Sequence, residues 1–205
     1  MSKQFCRCTK QNHIAKMIVI TGGPGGGKTA ILEAAKRIFC PHVVILPEAA
    51  TILFKGGFFR LRTDEGRKAA QRAIFCVQKE LEHIAIQQGQ ACLILCDRGT
   101  VDGLGYWPGQ DGEFWRDVAA KQEDEYARYF KVIHLRTPDI DLGYNHQNPM
   151  RIETPEEAAL IDDKILKAWQ GHPNRHIIES KANFFEKMNQ VTQLIREEVP
   201  ACCQS

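Results

Sequence analysis

Short uninterrupted apolar runs alternate along the chain with stretches in which apolar positions recur every three or four residues. Residues 17–21 (Met-Ile-Val-Ile-Thr) are the first such run and end at a cluster of glycines. A run with no polar alternation predicts a strand buried on both faces, as in a parallel sheet. Further strands are predicted at 42–46, 91–96, 129–135 and 176–178. Between them lie helical patterns at 29–39 and 66–88, and a last one at 183–199. The longest carries Ala70, Ile74, Val77, Leu81, Ile84 and Ala85 on one stripe and closes at Gly89. Thr154-Pro155-Glu156-Glu157 reads as a capping box with proline at the first helical position. It opens a helix that runs to about residue 170, where Gly171 and Pro173 stop it. Strands separated by helices imply βαβ units, hence an α/β fold in three layers with a mostly parallel five-stranded sheet. The simplest arrangement sets the 42–46 strand beside the first.

Composition adds bounds. A chain of 205 residues with 43% hydrophobic and 25% charged residues is expected to fold as one globular domain. We assign that domain to residues 16–199, with flexible ends at 1–15 and 200–205 and an inserted lid at about 139–171. With 27 basic against 25 acidic residues the net charge is +2, which gives no drive toward nucleic acid or a membrane surface. No apolar run approaches the roughly 20 residues of a membrane helix, and the first residues lack a signal peptide's apolar core. Of the eight cysteines, Cys92 and Cys96 fall inside an apolar run, whereas Cys202 and Cys203 lie at a polar chain end. Cys6-Arg-Cys8 with His13 is a fragment of a zinc pattern, for which a frayed terminus is the simpler reading. The expectation is a reduced, cytoplasmic protein.

The chemistry begins directly after the first strand. Residues 22–29 fit G-x-x-x-x-G-K-[ST], between a predicted strand and a predicted helix. Gly22, Gly23, Pro24, Gly25, Gly26, Gly27, Lys28, Thr29 and Ala30 then form a cradle for a polyphosphate. Glycines let the backbone curl, the helix start adds partial positive charge, Lys28 supplies a cation and Thr29 a hydroxyl for Mg²⁺. A glycine-rich linker would not also need Lys-Thr at that place.

In parallel sheets ligands bind beyond the carboxyl ends of the strands, so the residues there are the candidates for chemistry. Asp97 ends an apolar strand, where a P-loop protein holds Mg²⁺; capping the next turn is the alternative. Arg98 could meet a phosphoryl group or form a rim salt bridge. Glu48 could orient or deprotonate an acceptor hydroxyl, or simply begin a helix. Gln71 and Gln78, seven residues apart on one helix face, could read polar groups of a substrate, with solvation the plainer reading of both. Asp102, Tyr106 and Trp107, among glycines, suggest a flexible segment with stacking surfaces, or rings packed under a loop. Arg151 precedes the capped helix, where a lid could carry it to the γ-phosphate; a surface position is the other reading.

Taken together, residues 22–29, Glu48-Ala-Ala, Asp97-Arg-Gly with Asp102, and Arg151-Ile-Glu-Thr-Pro-Glu-Glu-Ala resemble the AAA-type P-loop ATPase domain related to NadR, a ribosylnicotinamide kinase. The likeness runs from about residue 16 to 199. It implies a P-loop NTPase fold similar in build to nucleoside and nucleotide kinases, with ATP and Mg²⁺ as cofactors. It also implies Glu48 as base, Asp97 and Arg98 as the acidic–arginine pair after the third strand, and Arg151 as a lid arginine. The second helical domain of oligomeric AAA machines has no counterpart here.

Three functions follow. A kinase would move a phosphoryl group from ATP to a small-molecule acceptor. An ATPase or nucleotide-dependent switch would need no acceptor. A nucleotide-sensing module would not turn over. The chain has neither the Asn-Lys-x-Asp element of Ras-like GTPases nor the Leu-Ser-Gly-Gly-Gln of transporters.

Overall fold

The computed structural model describes residues 8, 13–138, 154–180 and 183–204. Five strands, β1 (Lys16–Thr21), β2 (Val43–Leu46), β3 (Leu93–Asp97), β4 (Lys131–Leu135) and β5 (Arg175–Ile178), form one sheet in the order β2-β3-β1-β4-β5. Every pairing is parallel. The strand expected beside β1 is thus displaced: β2 pairs with β3, and β3 occupies the place next to β1. The burial pattern accounts for this. β3 is buried along its first four residues, whereas β2 has two half-buried residues and suits an edge.

The helices are α1 (Lys28–Ile38), α2 (Ala49–Lys55), α3 (Asp64–Gln87), α4 (Gly103–Tyr106), α5 (Asp111–Asp117), α6 (Gln122–Ala127), α7 (Pro155–Ala168) and α8 (Phe184–Arg196). Successive side chains of a strand point to opposite faces, and the core divides accordingly. Ile18, Ile20, Leu93, Leu95, Ile133 and Leu135 face α1 and α8, meeting Ile31, Leu32, Val191 and Ile195. Met17, Val19, Ile94, Cys96 and Val132 face the other layer, meeting Phe75 of α3, Phe114 of α5 and Ile165 of α7. Three layers result, as the alternation of runs and amphipathic stretches predicts.

The helix signals act as read. Thr154 accepts from the Glu157 amide at 3.2 Å while the Glu157 carboxylate accepts from the Thr154 amide at 2.9 Å, and Pro155 opens α7. Gly89, at φ 66, follows the end of α3.

The segment after β3 differs from the flexible loop expected. Residues Thr100–Asp102 form a 3₁₀ turn that leads into α4, and Val101, Asp102 and Trp107 are all buried. Its glycines serve close packing: a Cβ on Gly105 would lie 2.4 Å from Ile165. Beneath it, Thr100 donates to Glu125 at 2.8 Å, and Tyr129 donates to Glu82 at 2.8 Å. Gln78, read as solvated, is buried and donates to Glu82 at 2.7 Å; Gln71 is buried as well. At the chain end, Ala201–Cys203 forms a 3₁₀ turn that buries Cys203.

Phe114 is the centre of one core layer, with ring centroids 6.1 Å from Phe75, 5.4 Å from Trp107 and 4.9 Å from Trp115. Phe114→Ala should lower unfolding stability by about 3–5 kcal/mol, the cost of truncating a core aromatic. Urea unfolding monitored by circular dichroism measures it; an unchanged midpoint would contradict the packing described.

Candidate active site

The glycine-rich loop joins β1 to α1, as its sequence position requires. Gly22 has φ 128, and a Cβ there would lie 2.1 Å from the Leu135 carbonyl oxygen, so only glycine fits. At its far side, α1 begins with Lys28 and has no acidic residue in its first turn and two basic residues in its last. Its leading amides have no intrahelical acceptor, and the dipole adds partial positive charge there.

Lys28 is buried, and its Nζ donates to the Gly22 and Gly23 carbonyls at 2.9 and 2.8 Å. Burial and the nearby Arg98 lower its pKa to about 8, against the opposing pull of Asp97, Glu48 and Asp102. The loop is pinned from outside by Asp162 of α7, which accepts from the Gly23 amide at 2.6 Å. The same carboxylate accepts from the Thr137 amide at 3.2 Å and lies 2.9 Å from His134 and from Arg136. Burial alone would raise its pKa, but His134 and the two amides outweigh that and hold it below the usual range. Asp162 was missed by the sequence reading. Its signal is a carboxylate within the stripe of Ala158, Ile165 and Trp169, where an apolar residue is expected.

Asp97 ends β3 opposite Ile20, and Arg98 follows it. Arg98 takes a left-handed backbone, φ 75, which costs a non-glycine residue about 1–2 kcal/mol. Its amide donates to the Ile20 carbonyl at 3.1 Å. Its guanidinium donates to Glu48 at 2.8 Å, to the Gly22 carbonyl at 3.0 Å and to Asp102 at 3.3 Å, beside the Tyr106 ring at 5.3 Å. Gly99 gives Trp169 room: a Cβ there would sit 2.9 Å from the indole. That indole donates to Asp102 at 2.6 Å, and Thr21 donates to the other oxygen at 2.6 Å.

Glu48 is the residue before α2, and its side chain makes no cap. Its carboxylate accepts from Arg98 and, at 2.5 Å, from Thr51. Burial opposes its ionisation, but Arg98, Thr51 and Lys28 prevail and lower its pKa to about 2. Asp97 behaves oppositely. Burial and the Glu48 charge raise its pKa to about 6, despite Lys28 and Arg98. Its Oδ1 is buried and has no hydrogen-bond partner among the described residues.

These side chains open into one cleft of about 710 Å³. Pro24, Gly25, Lys28, Thr29, Asp97 and Arg98 line it together with Glu48. Its walls also include Phe54, Arg60, Arg62, Arg67, Gln71 and Tyr106. The structure therefore brings Lys28, Thr29, Glu48, Asp97 and Arg98 together; Arg151 lies outside the described residues. Among the described residues, no helix is long and apolar enough to cross a membrane.

Comparison with known proteins agrees with this geometry. A family model described as "AAA domain" matches residues 17–187. No curated protein matches the chain. Among solved structures, NadR in complex with NR aligns with TM-score 0.68 at 15% identity, covering 91% of this chain and 52% of that one. NadR in complex with NAD and AMP-PNP aligns at 0.62 and 14%, covering 90% and 50%. The chain thus spans about half the length of the NadR chains it matches. Thymidylate kinase from Candida albicans aligns at 0.61 and 16%, covering 89% and 92%. With the glycine-rich loop at the end of the central strand and a family match over most of its length, the chain belongs to the AAA domain family, and it shares its fold with NadR and thymidylate kinase.

Proposed function

We propose that the protein is a Mg²⁺-dependent phosphotransferase that moves a phosphoryl group from ATP to a small anionic acceptor. The observation that carries this is the size and lining of the cleft. Besides the glycine-rich loop, its 710 Å³ are walled by cations and aromatic rings, Arg60, Arg62, Arg67, Phe54 and Tyr106, which a triphosphate alone does not call for. Arg60 lies over the Phe54 ring at 5.0 Å, a pairing suited to an acceptor with a flat apolar part and a negative group.

In this reading Lys28 and the leading amides of α1 hold the triphosphate, and catalysis comes from placement and charge neutralisation. Arg98, fixed by Glu48, Asp102 and the Gly22 carbonyl, is the cation for the transferring group. Glu48 is the expected base, yet a carboxylate with a pKa of about 2 is a poor proton acceptor. Its part is to aim Arg98 and to accept a hydrogen bond from the acceptor. Thr29 and Asp97 are the residues that would hold Mg²⁺. The unpartnered buried oxygen of Asp97 suits that role, in which the ion supplies positive charge to the phosphate oxygens.

The deciding experiment is an acceptor screen with labelled ATP across nucleosides, nucleotides, sugars and vitamin precursors. Transfer to an anionic acceptor, and none without it, is expected. Steady ATP hydrolysis unaffected by any acceptor would instead establish an ATPase or switch.

Lys28→Ala should weaken ATP binding by about 10–100-fold, the value of one charge-assisted contact. Calorimetry reads this directly, and unchanged affinity would remove Lys28 from the phosphate site. The pH dependence follows from the two shifted groups. Asp97 takes up a proton below about pH 6, and Lys28 loses one above about pH 8. The profile of kcat/KM should therefore fall on both sides, with limbs near those values. Asp97→Asn should erase the acid limb and lower Mg²⁺-dependent turnover by about 10–100-fold with ATP binding retained; a persisting limb would assign it elsewhere.

A further inference from the structure

The amino-terminal edge of the sheet, opposite the cleft, gathers a second set of chemical groups. Cys8, His13, His42 and Cys203 each offer one ligand atom, and all four atoms lie within 4.8 Å of one another. Cys8 Sγ is 3.5 Å from His13 Nε2, Cys203 Sγ is 3.9 Å from the same nitrogen, and Cys203 Sγ is 3.5 Å from His42 Nδ1. A tetrahedral zinc ion, with bonds of roughly 2.3 Å to sulfur and 2.0–2.1 Å to nitrogen, requires sulfur–nitrogen edges of about 3.6 Å. The three distances match those edges.

From this we infer that Cys8, His13, His42 and Cys203 form a structural zinc site that fastens both ends of the chain to the base of the sheet. The four ligands come from remote stretches, with Cys203 separated by 161 positions from His42 and by 190 from His13. Such convergence is more than weak thiol hydrogen bonding needs. Three of the four ligands are held by backbone. The His42 carbonyl accepts from the Cys92 amide at 2.8 Å and from Leu93 at 3.3 Å, the His13 amide donates to the Gly89 carbonyl at 3.3 Å, and the Cys203 amide donates to Pro200 at 2.8 Å. Two thiolates and two imidazoles select zinc over magnesium or calcium. Four protein ligands leave no open position, so the site is structural rather than catalytic. Binding releases the two thiol protons to solvent as two zinc–sulfur bonds form. Cys8 and His13 were noted in the sequence as a fragment; His42 and Cys203 complete it.

The test uses the full chain, purified without an affinity tag in reducing buffer, loaded with zinc and desalted. Elemental analysis should give one zinc per chain. Cobalt substitution should give the intense visible bands of tetrahedral coordination with thiolate charge transfer. Cys203→Ser and His42→Asn should each lose that equivalent, whereas Cys76→Ser, at an exposed cysteine on α3, should keep it. ATP binding by the variants, measured at the opposite edge of the sheet, verifies that they fold. The inference is overturned if the wild-type chain retains no metal, if both variants retain it, or if thiol titration of the metal-free chain shows Cys8 and Cys203 joined as a disulfide.

Discussion

Asp102 is the joint on which the upper end of the molecule rests. One buried carboxylate receives Thr21 from the end of β1, Arg98 from the end of β3 and the Trp169 indole from the end of α7. A charge removed from water is costly unless its partners replace the lost hydration. Here a hydroxyl, an indole and a guanidinium do so. Removing any one partner leaves a buried charge short of compensation, so the three elements are held at one spacing. The end of α7 is thereby fixed over the carboxyl ends of the paired strands β1 and β3, beside the glycine-rich loop.

The strained backbone of Arg98 belongs to the same arrangement. A left-handed arginine persists because its amide is bonded to Ile20 and its head group is bonded on three sides. The cation is therefore held at a fixed point beside the glycine-rich loop. Arg98 is also the chief cause of the low Glu48 pKa, so one ion pair both fixes the guanidinium and keeps the carboxylate ionised.

Much of the fold is legible in the chain because β1, β3 and β4 are covered on both faces and must be continuously apolar. The phosphate loop is legible because its chemistry demands glycines, lysine and threonine in fixed order. The strand order is not: β2 and β3 are both short apolar runs, how fully each is buried emerges only in the fold, and adjacency depends on contacts distant along the chain. The short helices α4, α5 and α6 are too brief for periodicity to register. Asp162 hides because a carboxylate on an apolar stripe acquires meaning only when the Gly23 amide and His134 are brought to it. The buried state of Gln71 and Gln78 hides for a like reason, since helical spacing does not tell which side a neighbouring element will cover.

Lys28 resting on the Gly22 and Gly23 carbonyls has a further effect. The ammonium acts as an internal strut, so the curl of the loop is already set before any ligand enters. In the proposed function, an arriving phosphate would exchange places with two carbonyl oxygens instead of stripping a hydrated lysine from bulk water. Little of the loop then remains to be ordered on association, and the entropy that a slack loop would forfeit has been surrendered during folding.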